Sequence, residues 1–181
     1  MKMTTQEKLA YLAGIIDGEG NIGINLSKKG KWQNCDNYKI RLTISGTDMR
    51  LMNWLVENFG GWICKKPIYK KEHKQSYNWS LMCSQAGDVL EMVLPYLIIK
   101  RQQAMIMVSY RKLQAFKKYT YPQRKKYSES IREEIYEAIK YLNCRGSRPV
   151  ETNTLDTDKL LVKIESELDR NIKNQISDNL V

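Results

Sequence analysis

Two carboxylates lie where a predicted helix ends, and they are the residues best suited to metal chemistry. Asp17 and Glu19 alternate with Gly18 and Gly20 after an apolar stretch that begins at Leu9. The C-terminal end of a helix carries partial negative charge, so carboxylates are unfavourable there unless a cation offsets them. Divalent cations such as Mg²⁺ prefer carboxylate and backbone carbonyl oxygens. The pattern therefore indicates a divalent cation site, with a solvent-exposed acidic turn as the alternative.

The helix that presents these acids is predicted over residues 6–16. Thr4 followed three residues later by Glu7 is the capping-box pattern of a helix N-terminus, and Gly18 and Gly20 are expected to end the helix. Small side chains on one face of a helix let a second helix approach closely. Residues spaced i, i+3, i+4 and i+7 share a face, and here they are Ala10, Ala13, Gly14 and Asp17.

Alternating apolar and polar residues after Gly20 predict a pair of antiparallel strands, over residues 21–27 and 38–44. A second pair is predicted over residues 62–66 and 77–83. Ribbons of this kind fit the major groove of DNA, and a solvated sheet face is the alternative. The polar residues expected on the outer face, or at a hairpin tip for Lys29, are Asn21, Asn25, Ser27, Lys29, Lys39, Arg41, Thr43, Lys66, Asn78 and Ser80.

The remaining periodicity completes an α-β-β-α-β-β-α order over residues 5–97, which is an α+β arrangement of one sheet with helices on one face. Further helices are predicted from about 101 to 119 and from 128 to 142. Apolar residues at every fourth position from Leu160 to Leu180 predict an amphipathic helix, which must bury its stripe on its own domain or on a partner chain. We expect a single domain over residues 1–150 and a C-terminal helical tail over 151–181.

Charge and cysteine content narrow the classes of partner. The chain has 30 basic and 20 acidic residues, a net charge of +10. The tail holds four of the bases and seven of the acids, so the excess of positive charge lies in residues 1–150 and favours a polyanionic partner. The four cysteines show no CxxC spacing, which argues against a zinc site. With no signal peptide and no membrane-spanning run, we expect an intracellular protein, in bacterial or phage-host cytoplasm or an organelle matrix.

The stretch from Leu12 to Gly20 closely resembles the signature of the LAGLIDADG homing endonucleases, with Ile for Leu, Gly for Ala and Glu for Asp at three positions. A second point of resemblance follows Pro95, where an apolar pair precedes Lys100 and then a Gln-Ala step at Gln103. The resemblance implies the LAGLIDADG fold, with a four-stranded antiparallel saddle that binds DNA. It also implies a site-specific double-strand DNA endonuclease, encoded within an intron, that hydrolyses phosphodiesters with a metal ion.

The resemblance implies roles for individual residues. Glu19 and the backbone carbonyl of Gly18 would bind Mg²⁺, for which Mn²⁺ or Ca²⁺ could substitute in binding. Lys100 would add positive charge near the transition state, and Asp17 would cap the partner helix. Only one copy of the signature is present, so a homodimer is expected. Its interface would be the face formed by Ala10, Ala13, Gly14 and Asp17, and its target nearly palindromic.

One feature of the family is missing from the sequence. Many members carry a solvent-positioning Gln at the end of the second strand, where this chain has Gly46, and Arg50 is our candidate replacement. A nucleic-acid binder without cleavage, such as an intron RNA maturase or a DNA-binding regulator, is the alternative function. The acid at Glu19 and the base at Lys100 favour the nuclease, since a pure binder has no use for a carboxylate that faces phosphates.

Overall fold

A computed structural model describes residues 3–28, 36–68, 72–116, 128–144 and 156–178. Four strands and six α-helices make up these ranges, with a 3₁₀ turn at Leu94–Tyr96. In chain order the elements are α1 (Thr5–Glu19), β1 (Gly20–Ser27), β2 (Asn37–Gly46), α2 (Met49–Phe59), β3 (Trp62–Lys65), β4 (Tyr77–Met82), α3 (Cys83–Val93), α4 (Arg101–Phe116), α5 (Ser128–Leu142) and α6 (Thr157–Asp178).

The four strands form one antiparallel sheet in the order β1-β2-β4-β3. Gly20, the first residue of β1, pairs with Ile44 near the end of β2. The end of α1 therefore enters the sheet beside the point where β2 finishes. On the outer face, Thr43 pairs with Ser80 and Ser80 pairs with Trp62, so this face is continuous across the central strands and the β3 edge.

The inner face of the sheet forms the core with the helices. Its alternating residues, Ile22, Ile40, Leu42, Ile44, Trp79 and Leu81, are fully buried. Leu12 and Ile16 of α1 join the same cluster, and the indole N–H of Trp79 donates to the carbonyl of Gly60 at 2.8 Å. The predicted α+β fold, with one four-stranded antiparallel sheet and helices on one face, is confirmed.

The end of α1 differs from the expectation. The helix continues to Glu19 rather than stopping at Ile16, and Gly20 adopts an extended backbone with φ −77° instead of a left-handed one. A Cβ atom at Gly20 would lie 2.7 Å from both Cα and the carbonyl oxygen of Ile16. Glycine is therefore required here by close backbone approach. At the end of α2, Gly60 and Gly61 have φ of 73° and 83°, a conformation that favours glycine.

The amphipathic tail helix packs on its own chain. Leu160 and Ile164 of α6 are buried in the common core, where α6 contacts α4, and Leu168 is half-buried. Ile172, one turn further, is exposed. The first half of the predicted stripe is thus covered within the chain, while the predicted boundary at residue 150 lies outside the described residues. In the described ranges, no helix has the length and apolar content needed to cross a membrane.

Candidate active site

Gly18 and Glu19 form the exposed C-terminal end of α1. The last turn of this helix contains no basic residue that could offset the negative end of its dipole. The Gly20 N–H closes the helix by donating to the carbonyl of Ile16. An exposed carboxylate at a helix end that is already negative is the environment in which a bound cation is most favourable.

Lys100 supplies the cation that α1 lacks. Its Nζ donates to the carbonyl oxygens of Ile16 at 2.7 Å and Asp17 at 2.8 Å. These carbonyls belong to the last turn of α1, and that of Ile16 accepts the Lys100 ammonium in addition to the Gly20 N–H. The structure therefore brings the ammonium group of Lys100 to the same helix end as Glu19, and the catalytic role that the resemblance implied for Lys100 stays a prediction.

Asp17 acts inside its own chain. One carboxylate oxygen accepts the backbone N–H of Ile98 at 2.9 Å, and the other accepts the backbone N–H of Lys100 at 2.9 Å. Because α4 begins at Arg101, the carboxylate caps the turn that leads into α4. Both oxygens are thus engaged by residues of the same chain, and the expectation that Asp17 caps a partner helix stays a prediction.

The small-residue face of α1 is only partly as predicted. Ala10 and Gly14 are exposed, whereas Ala13 is fully buried in the core of its own chain and does not reach the exposed surface. A Cβ atom built at Gly14 or at Gly18 meets no atom of the part of the chain that the structure describes within 4 Å. The exposed small residues are therefore Ala10, Gly14 and Gly18, spaced one helical turn apart.

The predicted nucleic-acid residues divide by exposure. Asn21, Asn25 and Ser27 of β1 are exposed, and Lys39, Arg41, Lys66 and Asn78 are half-buried. Thr43 and Ser80 lie on the outer face as the alternation predicts, but neighbouring side chains cover them. Ser80 is 2% exposed, and its hydroxyl lies 3.4 Å from that of Thr43. Ser80 and Thr43 are therefore not free surface residues, and Lys29 falls outside the described residues.

Two residues on the outer face were missed. Ser45 receives a hydrogen bond from Lys66 Nζ at 3.1 Å and donates to Asn78 Oδ1 at 2.8 Å, which orients the lysine beside the end of β2. Trp62 is 42% exposed and pairs with Ser80. Alternation beyond Thr43 could have placed Ser45 on this face, while the position of Trp62 depends on the strand pairing.

Arg50, the candidate replacement for the missing Gln, is engaged by a neighbour. Its guanidinium binds the carboxylate of Asp48, with Nη2 and Oδ2 2.6 Å apart. The Arg50 hydrogen bonds lower the pKa of Asp48 to about 2. Asp48 also caps α2 by accepting the backbone N–H of Arg50. The role of Arg50 at the reaction centre stays a prediction.

A single chain offers few metal ligands. Within the described ranges, no three His, Cys, Asp or Glu side chains lie together as a metal site would require. Glu19 and the Gly18 carbonyl are hard oxygen donors of the type that Mg²⁺ prefers, but they are too few for an octahedral set. The remaining ligands of such a site would come from another chain, from water or from a bound phosphate.

The sequence profile of the LAGLIDADG endonucleases matches residues 12–120. The chain therefore belongs to the LAGLIDADG endonuclease family, and the resemblance seen in the sequence is confirmed. A search of curated protein sequences finds no match.

Solved structures show the same fold. The homing endonuclease I-CvuI, in complex with its target in the presence of Ca, matches with a TM-score of 0.59 at 20% identity, covering 88% of this chain and 96% of that one. The archaeal intron-encoded homing endonuclease I-Vdi141I, complexed with DNA, matches with a TM-score of 0.59 at 15% identity, covering 91% and 98%. At these identities the likeness supports the fold alone.

Proposed function

We propose that this chain is a site-specific DNA endonuclease that cuts both strands of a long, nearly palindromic target as a homodimer. The observation that carries the proposal is the exposed Glu19 at the end of α1, with the Lys100 ammonium bound to the same helix end. Membership of the family supports nuclease chemistry. Homing from an intron is the biological setting suggested by the resemblance.

The reaction is metal-dependent phosphodiester hydrolysis, and Glu19 with the Gly18 carbonyl would hold Mg²⁺. When bound, the ion would activate a water and stabilise negative charge on the phosphate. Lys100 adds a fixed positive charge at the same helix end. Its two bonds to backbone carbonyls hold it in place before DNA arrives, which is the arrangement that electrostatic stabilisation of a transition state requires.

Dimerisation through α1 is supported by the glycines on its exposed side. Glycine in a helix interior costs about 1 kcal/mol relative to alanine, and no atom of the described residues fills the space beside Gly14 or Gly18. A second α1 approaching backbone to backbone would explain both residues. Ala10 lies one turn before Gly14 on the same face. A two-fold axis through this contact would place two copies of Glu19 at the centre of a symmetric target.

The outer face of the sheet would bind the DNA. Arg41 and Lys39 of β2 carry positive charge, and Asn25 and Asn21 of β1 offer amide groups that can read base edges. The Lys66–Ser45–Asn78 group adds an oriented cation on the same face. The excess of positive charge in residues 1–150 supports binding to the phosphate backbone as well.

The test is cleavage selection with purified protein and Mg²⁺ on a library of DNA that spans candidate insertion sites. Glu19→Gln is the matched variant, because it removes the charge and keeps the shape. Cutting at one long, nearly palindromic sequence that Glu19→Gln abolishes while specific binding persists would support the proposal. Cutting that survives Glu19→Gln would mean that the active site is elsewhere.

A nucleic-acid binder without cleavage, such as an intron RNA maturase, is the second candidate. Gly46 stands where a solvent-positioning Gln is expected, and Arg50 is bound to Asp48. Both observations favour a reduced capacity for chemistry. Specific binding of DNA or intron RNA by the wild-type chain, with no cutting in Mg²⁺ or Mn²⁺, would select this candidate.

A further inference from the structure

Asp17 and Lys100, 83 positions apart, each bind the backbone beside the other. The Asp17 carboxylate accepts the N–H groups of Ile98 and Lys100, and the Lys100 ammonium donates to the carbonyls of Ile16 and Asp17. One side chain thus satisfies the turn before α4, and the other satisfies the end of α1. All four bonds measure 2.7–2.9 Å.

This reciprocal clamp is charge-assisted in both directions. A carboxylate is favourable at the N-terminal end of a helix and an ammonium at the C-terminal end, because each opposes the local dipole. Hydrogen bonds to an ionised group are also shorter and stronger than neutral ones. Since the two helices are joined by four such bonds, their ends keep a defined separation.

Burial does not hold the turn in place. Within the single chain, Ile98 is 85% exposed and Ile99 is 72% exposed, so neither side chain anchors the segment. Leu97, which precedes these residues in the chain, is buried, and so are Gln103 and Ala104, which follow them. Between these anchors, the two bonds to the Asp17 carboxylate determine where the Lys100 backbone lies.

We propose that Asp17 is a positioning residue, which fixes the 98–100 turn and thereby holds the Lys100 ammonium at the end of α1 beside Glu19. The inference rests on the proposed nuclease function for its effect on cleavage. The flexible four-carbon stem of a lysine fixes its charge poorly without such support. Because Asp17 acts through Lys100, its loss has no further effect on cleavage once the ammonium has been removed.

The experiment compares Asp17→Asn with Asp156→Asn. Both variants remove one carboxylate that caps the start of a helix. Asp17 accepts N–H groups of the turn before α4, and Asp156, the residue before α6, accepts the N–H of Lys159 in the first turn of α6. Each protein is assayed for single-turnover cleavage, DNA affinity and thermal unfolding. Acetylation of Lys100 by limiting acetic anhydride is measured by peptide mass spectrometry, with Lys140 as the internal reference, and this readout does not depend on nuclease activity.

We expect Asp17→Asn to slow cleavage by about 10- to 100-fold, the penalty of a small misplacement of a reacting group, with unchanged DNA affinity. Acetylation of Lys100 relative to Lys140 should rise, because the ammonium is no longer held. Asp156→Asn should change neither quantity. Adding Asp17→Asn to Lys100→Gln should leave the cleavage rate of Lys100→Gln unaltered.

The inference would be overturned if Asp17→Asn cleaved DNA at the wild-type rate and its Lys100 were acetylated no more than in the wild type. It would also be overturned if adding Asp17→Asn to Lys100→Gln slowed cleavage further. If wild-type protein cuts no target, the proposed nuclease function fails, while acetylation still decides whether Asp17 holds Lys100. If Asp17→Asn does not fold, Asp17→Glu keeps the charge and displaces the carboxylate. Slower cleavage with raised acetylation would then support the inference, and wild-type values would overturn it.

Discussion

The two ends of α1 are satisfied in different ways. At the N-terminus, the Glu7 N–H donates to Thr4 Oγ1 at 3.3 Å, and the Thr4 N–H donates to the Glu7 carboxylate at 2.7 Å. At the C-terminus, the carbonyls of Ile16 and Asp17 accept from Lys100, which is 84 and 83 positions away. One end is completed within a single turn of chain and the other only by the folded protein.

The difference shows where this fold builds its chemistry. The capping box requires nothing from the rest of the chain, because Thr4 and Glu7 satisfy each other's backbone N–H groups. The C-terminal end has no basic residue of its own, so it depends on Lys100 and leaves the Glu19 carboxylate exposed. Departures from local helix rules are expected at functional sites. The following predictions separate the two ends, beginning with the largest effect.

Among these four predictions, replacing the distant partner of α1 should have the largest effect. We expect Lys100→Met to slow single-turnover cleavage by about 100-fold through loss of transition-state stabilisation. Loss of its charge-assisted hydrogen bonds should lower the free energy of unfolding by about 2 kcal/mol in urea titrations. Lys112→Met, on α4 beside Glu91, is the matched control and should leave cleavage unchanged. Equal cleavage by both variants would contradict the role of Lys100.

Replacing the exposed Gly14 of α1 with leucine should stabilise the folded monomer but weaken the dimer. Gly14→Leu has open space in the single chain, so better helix propensity should raise the unfolding free energy of a monomer by about 0.5–1 kcal/mol. Across a close helix contact the same side chain should weaken dimerisation and thereby reduce cleavage. Sedimentation velocity measures whether Gly14→Leu is a monomer or a dimer, with Ser130→Leu on α5 as the control. A stable Gly14→Leu dimer would argue against the α1 interface.

Removing the local cap should affect stability alone. Thr4→Ala should lower the free energy of unfolding by about 1 kcal/mol, the usual contribution of an N-cap side chain. Cleavage per folded molecule should stay at the wild-type rate, because the N-terminus of α1 is remote from Glu19 along the helix. Thr5→Ala, one residue later, is the control. A cleavage defect in Thr4→Ala would show that the two ends are coupled.

The smallest effect is a pH dependence at the same cap. Hydrogen bonds from the Thr4 N–H and hydroxyl lower the pKa of Glu7 below its usual 4.5. A lowered carboxyl pKa stabilises the folded state above pH 4.5, and this contribution is lost as pH falls through the lowered value. An NMR carboxyl titration should show the shift in wild type and its reduction in Thr4→Ala. An unshifted Glu7 in the wild type would contradict the capping box.

Local periodicity was sufficient for most of the fold. The capping box of α1, the Asp48 cap of α2 and the left-handed glycines after it depend on neighbours within a few residues. Strand alternation sorted Ile22 inward and Asn21 outward for the same reason. The order of elements followed from these patterns. The family resemblance also selected Glu19 and Lys100, and both lie at the C-terminal end of α1.

Only the tertiary structure decided what those residues touch. Asp17 binds the turn before α4 of its own chain, Ala13 lies in the core, and Ser80 is buried on the outer face of the sheet. Each of these outcomes depends on contacts between segments that are far apart in sequence. A short window of sequence contains the hydrogen-bonding capacity of Asp17, but the identity of its partner exists only once α1 and α4 have packed together.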